Sequence, residues 1–243
     1  MTRAPHAILF DLDETILTFG RRRDQLVSVA EGFAPREGPL SAETLAAAVE
    51  AHLTAFWADE ARRKAGRFNL ADARRTVVAD AFAELADGGA RGLTAEAAHR
   101  FADAFHALRV AQVRPFPGAI ETLDALRAGD VRLALITNGA SDVQRAKIER
   151  FDLARRFEHV QVEGECGFGK PEPRAYRHAL DAIGVEPHQA WIVGDNLEWE
   201  VAAPQRLGLY AIWCDAYGQG LPAGGAVTPD RIIRSLTELA PPA

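Results

Sequence analysis

Short apolar runs alternate with helical patterns over most of this 243-residue sequence, and this alternation restricts the possible folds more than any other feature. The first run, Ala7–Phe10, is followed directly by a polar cluster from Asp11 to Thr15. Strands that alternate with helices predict a parallel sheet covered by helices on both faces. The remaining predicted strands are Val131–Ile136, Val160–Val162, Ala190–Val193, Leu209–Trp213 and Arg231–Ile233. The predicted helices are Gly118–Ala128, Asp142–Phe151, Glu172–Ile183, Glu198–Leu207 and a short final helix opened by a capping box, Ser235 to Glu238.

A long segment after the first strand breaks this alternation. The residues from about Leu17 to Arg114 contain no convincing strand, are rich in Ala, Arg, Glu and Leu, and show helical spacing. Gly88–Gly92 predicts a turn between two pairs of helices. We therefore predict an α/β core with a Rossmann-like parallel sheet, formed by residues 1–16 and 115–243, and an inserted all-helical cap formed by residues 17–114.

Composition excludes several classes of function. The net charge is −6 at pH 7 and there is no long basic run, so binding to nucleic acid or to an anionic membrane is not expected. Cys166 and Cys214 form no C-x-x-C pair, which favours a reducing compartment. The apolar stretch before Asp11 is too short for a signal-peptide core, so a cytoplasmic protein is predicted. The sequence does not predict the oligomeric state.

Polar residues follow several of the predicted strands. In an open parallel sheet, ligands bind beyond the carboxyl ends of the strands, so these side chains are expected to converge. Carboxylates suit Mg²⁺ that also binds water and substrate phosphate, while a lysine and hydroxyl groups offset charge on a phosphoryl group. The set therefore predicts phosphoryl transfer. Its members are Asp11, Asp13, Thr15, Thr137, Asn138, Lys170, Asp195 and Glu200.

Four ordered motifs at these strand ends make the sequence resemble the haloacid dehalogenase-like hydrolase superfamily. Within it, the chain is similar to phosphatases that carry a helical cap between the first and second motifs. The resemblance covers the whole α/β portion. The motifs are Asp11-Leu12-Asp13-Glu14-Thr15, Thr137-Asn138, Lys170-Pro171, and Gly194-Asp195 with Glu200.

The resemblance implies a role for each motif. Asp11 attacks phosphorus to form an aspartyl-phosphate, and Asp13 protonates the leaving oxygen and then activates water. The cap closes over the site and selects the leaving group of a sugar phosphate, a nucleoside monophosphate or a phosphoglycolate-like ester. Thr137, Asn138 and Lys170 bind phosphate oxygens; Asp11, the Asp13 carbonyl and Asp195 bind Mg²⁺; and Thr15, Asn196 and Glu200 are supporting residues.

Two positions depart from the family pattern. Position 14 holds Glu where many relatives have Gly, and position 200 holds Glu where a second Asp is more common. The carboxylate of Glu200 is one methylene longer than that of Asp, which is expected to move it towards Lys170.

Other functions remain open at this point. Gly164–Lys170 has the spacing of a nucleotide-binding P-loop, but Pro171 stands where that loop needs Ser or Thr. A dehalogenase on the same fold needs neither Mg²⁺ nor a proton donor at position 13, whereas a phosphomutase uses the same pair, Asp11 and Asp13. A further alternative is a non-catalytic binding protein with the same fold, but packing alone gives such a protein no reason to keep these polar residues.

Overall fold

The computed structural model describes residues 5–33 and 40–240, and its central feature is a six-stranded sheet. The chain divides into two compact units, one formed by Met1–Thr18 with Arg114–Ala243 and the other by Phe19–Val113. The functional division that the sequence predicts, with a core and a cap that acts as a lid, stays a prediction.

The six-stranded sheet belongs to the first unit and has the strand order β5-β4-β1-β6-β7-β8. Every neighbouring pair in it is parallel, so the predicted α/β fold with a Rossmann-like sheet is confirmed. All four residues of β1 are at most 1% exposed, which explains its unbroken apolar sequence. The strands in the described residues are β1 (Ala7–Phe10), β2 (Leu17–Thr18), β3 (Arg114–Pro115), β4 (Arg132–Thr137), β5 (His159–Val162), β6 (Ala190–Gly194), β7 (Tyr210–Cys214) and β8 (Arg231–Ile233).

The regular elements in the described residues of the second unit are all helices. Leu45, Val49 and Leu53, which recur at helical spacing, are buried in one apolar cluster together with Phe82 and Phe101. The expectation of two helix pairs around Gly88–Gly92 was wrong, because four described helices precede this turn and one follows it. Asp59 and Asn69 each cap the start of a helix, so the segment before the turn contains more helices than the expected pair. The helices are α1 (Arg22–Ala30), α2 (Ala42–Ala58), α3 (Glu60–Gly66), α4 (Leu70–Asp87) and α5 (Ala95–Gln112).

The expectation that residues 17–114 contain no strand was also wrong at the two ends of this segment. β2 pairs with β3 in an antiparallel two-stranded ribbon of the first unit. Two-residue strands are too short to show a period, so the sequence pattern does not reveal them.

The remaining helices connect the strands of the parallel sheet. A regular helix over Glu198–Leu207 was expected, but Leu197–Ala202 forms a π-helical turn that runs into a three-residue helix. Pro204 has no amide hydrogen to continue the hydrogen-bond ladder, which is consistent with this irregularity. The capping box of Ser235 and Glu238 is present and opens a 3₁₀ helix, Leu236–Leu239. The α-helices are α6 (Ala119–Ala128), α7 (Ser141–Arg150), α8 (Glu163–Cys166), α9 (Pro173–Ala182) and α10 (Ala203–Gln205).

Both cysteines, Cys166 and Cys214, are free thiols. Within residues 5–33 and 40–240, the helices are too short or too polar to cross a membrane.

Candidate active site

The register of the sheet brings the predicted site residues to one edge. Phe10, the last residue of β1, pairs with Leu135 of β4 and with Val193 of β6. The amide of Asp11 then donates a hydrogen bond to the Val193 carbonyl at 3.0 Å. Asp11 therefore emerges between the carboxyl ends of two neighbouring strands, which carry Thr137 and Asp195.

Asp11 is held at both of its carboxylate oxygens. The Lys170 ammonium lies 2.5 Å from Oδ1, and the Thr15 hydroxyl donates to Oδ2 at 3.2 Å. Burial raises the pKa of Asp11, and the opposing effect of Lys170 does not cancel this rise. The two contacts fix the orientation of the Asp11 carboxylate.

Lys170 lies between two carboxylates and is 1% exposed. Its Nζ atom is 2.6 Å from Glu200 as well as 2.5 Å from Asp11. Burial alone lowers the pKa of Lys170, but the charges of Asp11 and Glu200 outweigh burial and raise it, so the ammonium stays charged. Burial raises the pKa of Glu200 to about 7, against the opposing charge of Lys170.

The backbone of Lys170 is also fixed. Its amide donates to Asn138 Oδ1 at 2.9 Å, and Asn138 Nδ2 donates to its carbonyl at 2.7 Å. Asn138 thus connects the residue after β4 to the Lys170 loop. Its direct contact with phosphate, which the family resemblance implies, stays a prediction.

Gly194 and Asn196 position Glu200 from the end of β6. A Cβ atom at Gly194 would overlap the Glu200 side chain, so only glycine leaves room for this carboxylate. The Asn196 amide donates to Glu200 Oε2 at 3.0 Å, and the Asn196 side chain caps the π-helical turn by accepting from Glu198 and Trp199. The Glu200 carboxylate contacts Lys170 at 2.6 Å, as its additional methylene group predicts.

Asp13 is held by two residues that lie outside the four sequence motifs. Lys147 Nζ lies 2.6 Å from each of its carboxylate oxygens, and Gln144 Nε2 donates to Oδ2 at 3.1 Å. Gln144 also contacts the Thr137 hydroxyl. Gln144 and Lys147 are three residues apart on α7, so both lie on one face of the helix that follows Thr137-Asn138. This spacing is a sequence signal that the two side chains can act together.

Glu14 has a left-handed backbone conformation with φ of 59°. Glycine adopts this conformation without steric cost, which explains why Gly is common at this position in the family pattern. In this chain the Glu14 carboxylate accepts a hydrogen bond from the Tyr217 hydroxyl at 2.9 Å, and that hydroxyl also lies 2.7 Å from Thr18 Oγ1. These contacts hold a residue type that is unfavourable at such a φ.

The negative charge of the site exceeds the positive charge that surrounds it. Burial raises the pKa of Asp195 well above its ordinary value, and the charges of Asp11, Glu200 and Glu14 raise it further. In the part of the chain that the structure describes, no three His, Cys, Asp or Glu side chains form a ready-made metal cluster. Mg²⁺ commonly binds one or two carboxylates together with water and substrate phosphate. The Asp11 and Asp195 carboxylates and the Asp13 carbonyl offer hard oxygen donors that fit this ion.

The P-loop alternative finds no support in the local structure. Glu163–Cys166 forms a short helix within the segment that such a loop would occupy. The ammonium of Lys170 is engaged by Asp11 and Glu200 instead.

Comparison with known proteins identifies a family to which the chain is similar. The sequence model of the haloacid dehalogenase-like hydrolases matches residues 5–208. The phosphoserine phosphatase of Thermus thermophilus is 40% identical over 125 residues, which are 51% of this chain and 49% of that protein. The chain thus spans about half the length of this curated relative.

Solved structures share the fold over nearly the whole chain. The putative HAD-hydrolase YfnB of Bacillus subtilis, whose structure contains magnesium, has a TM-score of 0.71 at 21% identity, with 98% of this chain and 97% of that chain covered. The L-2-haloacid dehalogenase of Xanthobacter autotrophicus has a TM-score of 0.64 at 19% identity, with 97% of each chain covered. At such low identity, these likenesses establish the fold alone.

Proposed function

Because this chain belongs to the haloacid dehalogenase-like hydrolase family, we propose that it is a phosphatase that hydrolyses a small phosphate monoester. In this proposal Asp11 is the nucleophile and Asp13 is the general acid and base. The similarity to a phosphoserine phosphatase supports the phosphatase reading over half of the chain.

The observation that carries this proposal is the position of the Asp13 side chain. Gln144 contacts both Asp13 and Thr137, so a carboxyl group and a candidate phosphate-binding hydroxyl lie around one amide. A phosphate ester needs an acid to protonate its alkoxide leaving group, whereas a halide leaves without a proton. Asp13 therefore favours a phosphate ester over a haloacid as the substrate.

The proposed reaction has two steps. First, an Asp11 oxygen attacks phosphorus, the bond from phosphorus to the leaving oxygen breaks, and protonated Asp13 gives its proton to that oxygen. Second, Asp13 takes a proton from water, the water oxygen attacks phosphorus, and the bond to Asp11 breaks. Inorganic phosphate leaves, and each cycle consumes one water molecule and restores both carboxyl groups.

The surrounding residues have supporting roles in this proposal. Thr137, Asn138 and Lys170 bind phosphate oxygens, and the fixed ammonium of Lys170 offsets their charge without reorganising. The carboxylates of Asp11 and Asp195 and the carbonyl of Asp13 would hold Mg²⁺. When bound, this ion supplies positive charge that reduces the repulsion between the phosphate and the acidic residues.

The proposed substrate class is a small phosphorylated metabolite. The candidate substrates are sugar phosphates, nucleoside monophosphates and phosphoglycolate-like esters. Phosphoserine is a further candidate, because the relative from Thermus thermophilus is named for it. A phosphomutase would use the same two aspartates but transfer the phosphoryl group to a second sugar rather than to water. A cytoplasmic location stays a prediction.

A screen of phosphorylated metabolites with Mg²⁺ tests this proposal, with released inorganic phosphate as the readout. A parallel arm measures halide release from 2-chloropropionate. We expect phosphate from at least one ester and no halide. Halide release without phosphate release would make the chain a dehalogenase, and transfer to a sugar without free phosphate would make it a mutase.

A further inference from the structure

Helix α7 brings a second ammonium group to Asp13, and the two proposed chemical steps do not use it. The Lys147 Nζ atom lies 2.6 Å from both carboxylate oxygens of Asp13. The Lys147 side chain is 11% exposed although it ends at a carboxylate that is 32% exposed. A lysine head group normally stays in water, so this one is unusually enclosed.

Gln144 makes the same carboxylate part of a larger network. It is 2% exposed, donates to Asp13 at 3.1 Å and contacts the hydroxyl of Thr137. Because Gln144 and Lys147 lie on one face of α7, the helix fixes their spacing. Helix α7 therefore fixes the orientation of Asp13 relative to Thr137, a candidate phosphate-binding residue.

We propose that Lys147 and Gln144 are positioning residues that hold the Asp13 carboxyl group in the orientation needed for proton transfer. This role rests on the proposed function. Neither residue needs to touch the substrate, because each acts through Asp13.

The physical argument concerns rotation of the Asp13 side chain. Proton transfer needs the carboxyl oxygen within about 2.6–3.2 Å of the leaving oxygen or of water. Without Lys147, the Asp13 side chain, which is 32% exposed, loses its charged partner and is expected to sample other rotamers. Phosphate binding is assigned to other residues, so loss of Lys147 should lower kcat and leave KM nearly unchanged.

Arg145 provides a matched control on the same helix. Its guanidinium lies 2.6 Å from Glu165, and its side chain is 42% exposed. Arg145→Met removes one positive charge from α7 without a described contact to Asp13. Both Lys147→Met and Arg145→Met are compared with wild type after their unfolding midpoints have been measured.

The experiment measures kcat and KM with an aryl and an alkyl phosphate. We expect Lys147→Met to lower kcat about ten- to a hundredfold, the scale of a misplaced catalytic group, with KM changed less than about threefold. The loss should be larger for the alkyl ester, which depends more on the acid. Lys147→Arg should recover part of the activity, and Arg145→Met should retain the wild-type rate. If Lys147→Met does not fold, Lys147→Gln replaces it.

A double-mutant cycle with Asp13→Asn decides whether Lys147 acts through Asp13. Measured with the aryl ester, Lys147→Met should have no further effect once Asp13 is replaced. An equal loss in both backgrounds, or a change confined to KM, would overturn the positioning role while the proposed function stands. If wild type releases no phosphate from either ester, the proposed function fails first and this role with it.

Discussion

The Glu200 carboxylate lies 2.6 Å from the Lys170 ammonium, and the two side chains are each 1% exposed. Lys170 also contacts Asp11, so one cation serves two buried carboxylates. Replacing either partner of a buried charged pair leaves the other uncompensated, which is costly. Glu200 is therefore a structural support of the proposed nucleophile, through Lys170.

The stability of the metal-free protein should depend on pH through Glu200. Burial raises its folded pKa to about 7 from an ordinary value of 4.5, so the folded state binds this proton more tightly than the unfolded state. The resulting stabilisation is present below the unfolded pKa and is lost as the pH rises through the folded value. Glu200→Gln removes this dependence. In the presence of a chelator, the free energy of unfolding of wild type should therefore fall between about pH 5 and pH 8 by up to roughly 3 kcal/mol more than that of the variant.

Denaturant unfolding at the two pH values measures this difference. Glu198→Gln is the control, because Glu198 is 48% exposed and pairs with Arg206 at the surface. A stability difference between Glu200→Gln and wild type that is the same at both pH values would contradict the assignment.

The sheet and the ordered motifs were predictable because each rests on a local pattern. Two of the six strands of the sheet, β1 and β8, coincide with their predictions, and the bounds of the other four differ from the predicted bounds by at most one residue. Asp11 and Asp195 follow these strand ends directly, so the parallel topology determines their convergence.

Features that depend on tertiary contacts were not predictable in the same way. The spacing of Gln144 and Lys147 places them on one face of α7, but their contacts with Asp13 depend on the rotational phase of this helix, which the spacing alone does not determine. The same holds for the π-helical turn, where Asn196 supplies a cap that competes with a regular helix start. The left-handed φ of Glu14 was not predictable either, because residues with a Cβ atom disfavour this backbone conformation.

Mg²⁺ should stabilise the folded protein and be needed for turnover. Asp11 and Asp195 place excess negative charge at one sheet edge, so a bound cation lowers the energy of the folded state. At about a hundred times its Kd, Mg²⁺ should add about 3 kcal/mol to the free energy of unfolding. Asp195→Asn should lose most of this gain. Thermal unfolding with and without chelator measures it, and full phosphate release in excess chelator would exclude the metal requirement.

Asp13→Asn should separate the two chemical steps by leaving group. The variant keeps the nucleophile but lacks the acid and base, a loss typically worth about a hundred- to ten-thousandfold in rate. A good leaving group needs little of the acid, so phosphorylation by an aryl phosphate should stay much faster than by an alkyl phosphate. Single-turnover kinetics with both esters checks this. Equal losses for the two esters would show that Asp13 does not protonate the leaving oxygen.

Trapping of the phosphorylated protein tests the proposal that Asp11 is the nucleophile most directly. Asp13→Asn is mixed with a labelled aryl phosphate and Mg²⁺, quenched rapidly in acid and digested, because slow hydrolysis lets the intermediate accumulate. We predict label on the peptide that contains Asp11, and no label and background turnover in Asp11→Asn. Label on another residue, or turnover of Asp11→Asn near the wild-type rate, would contradict the account.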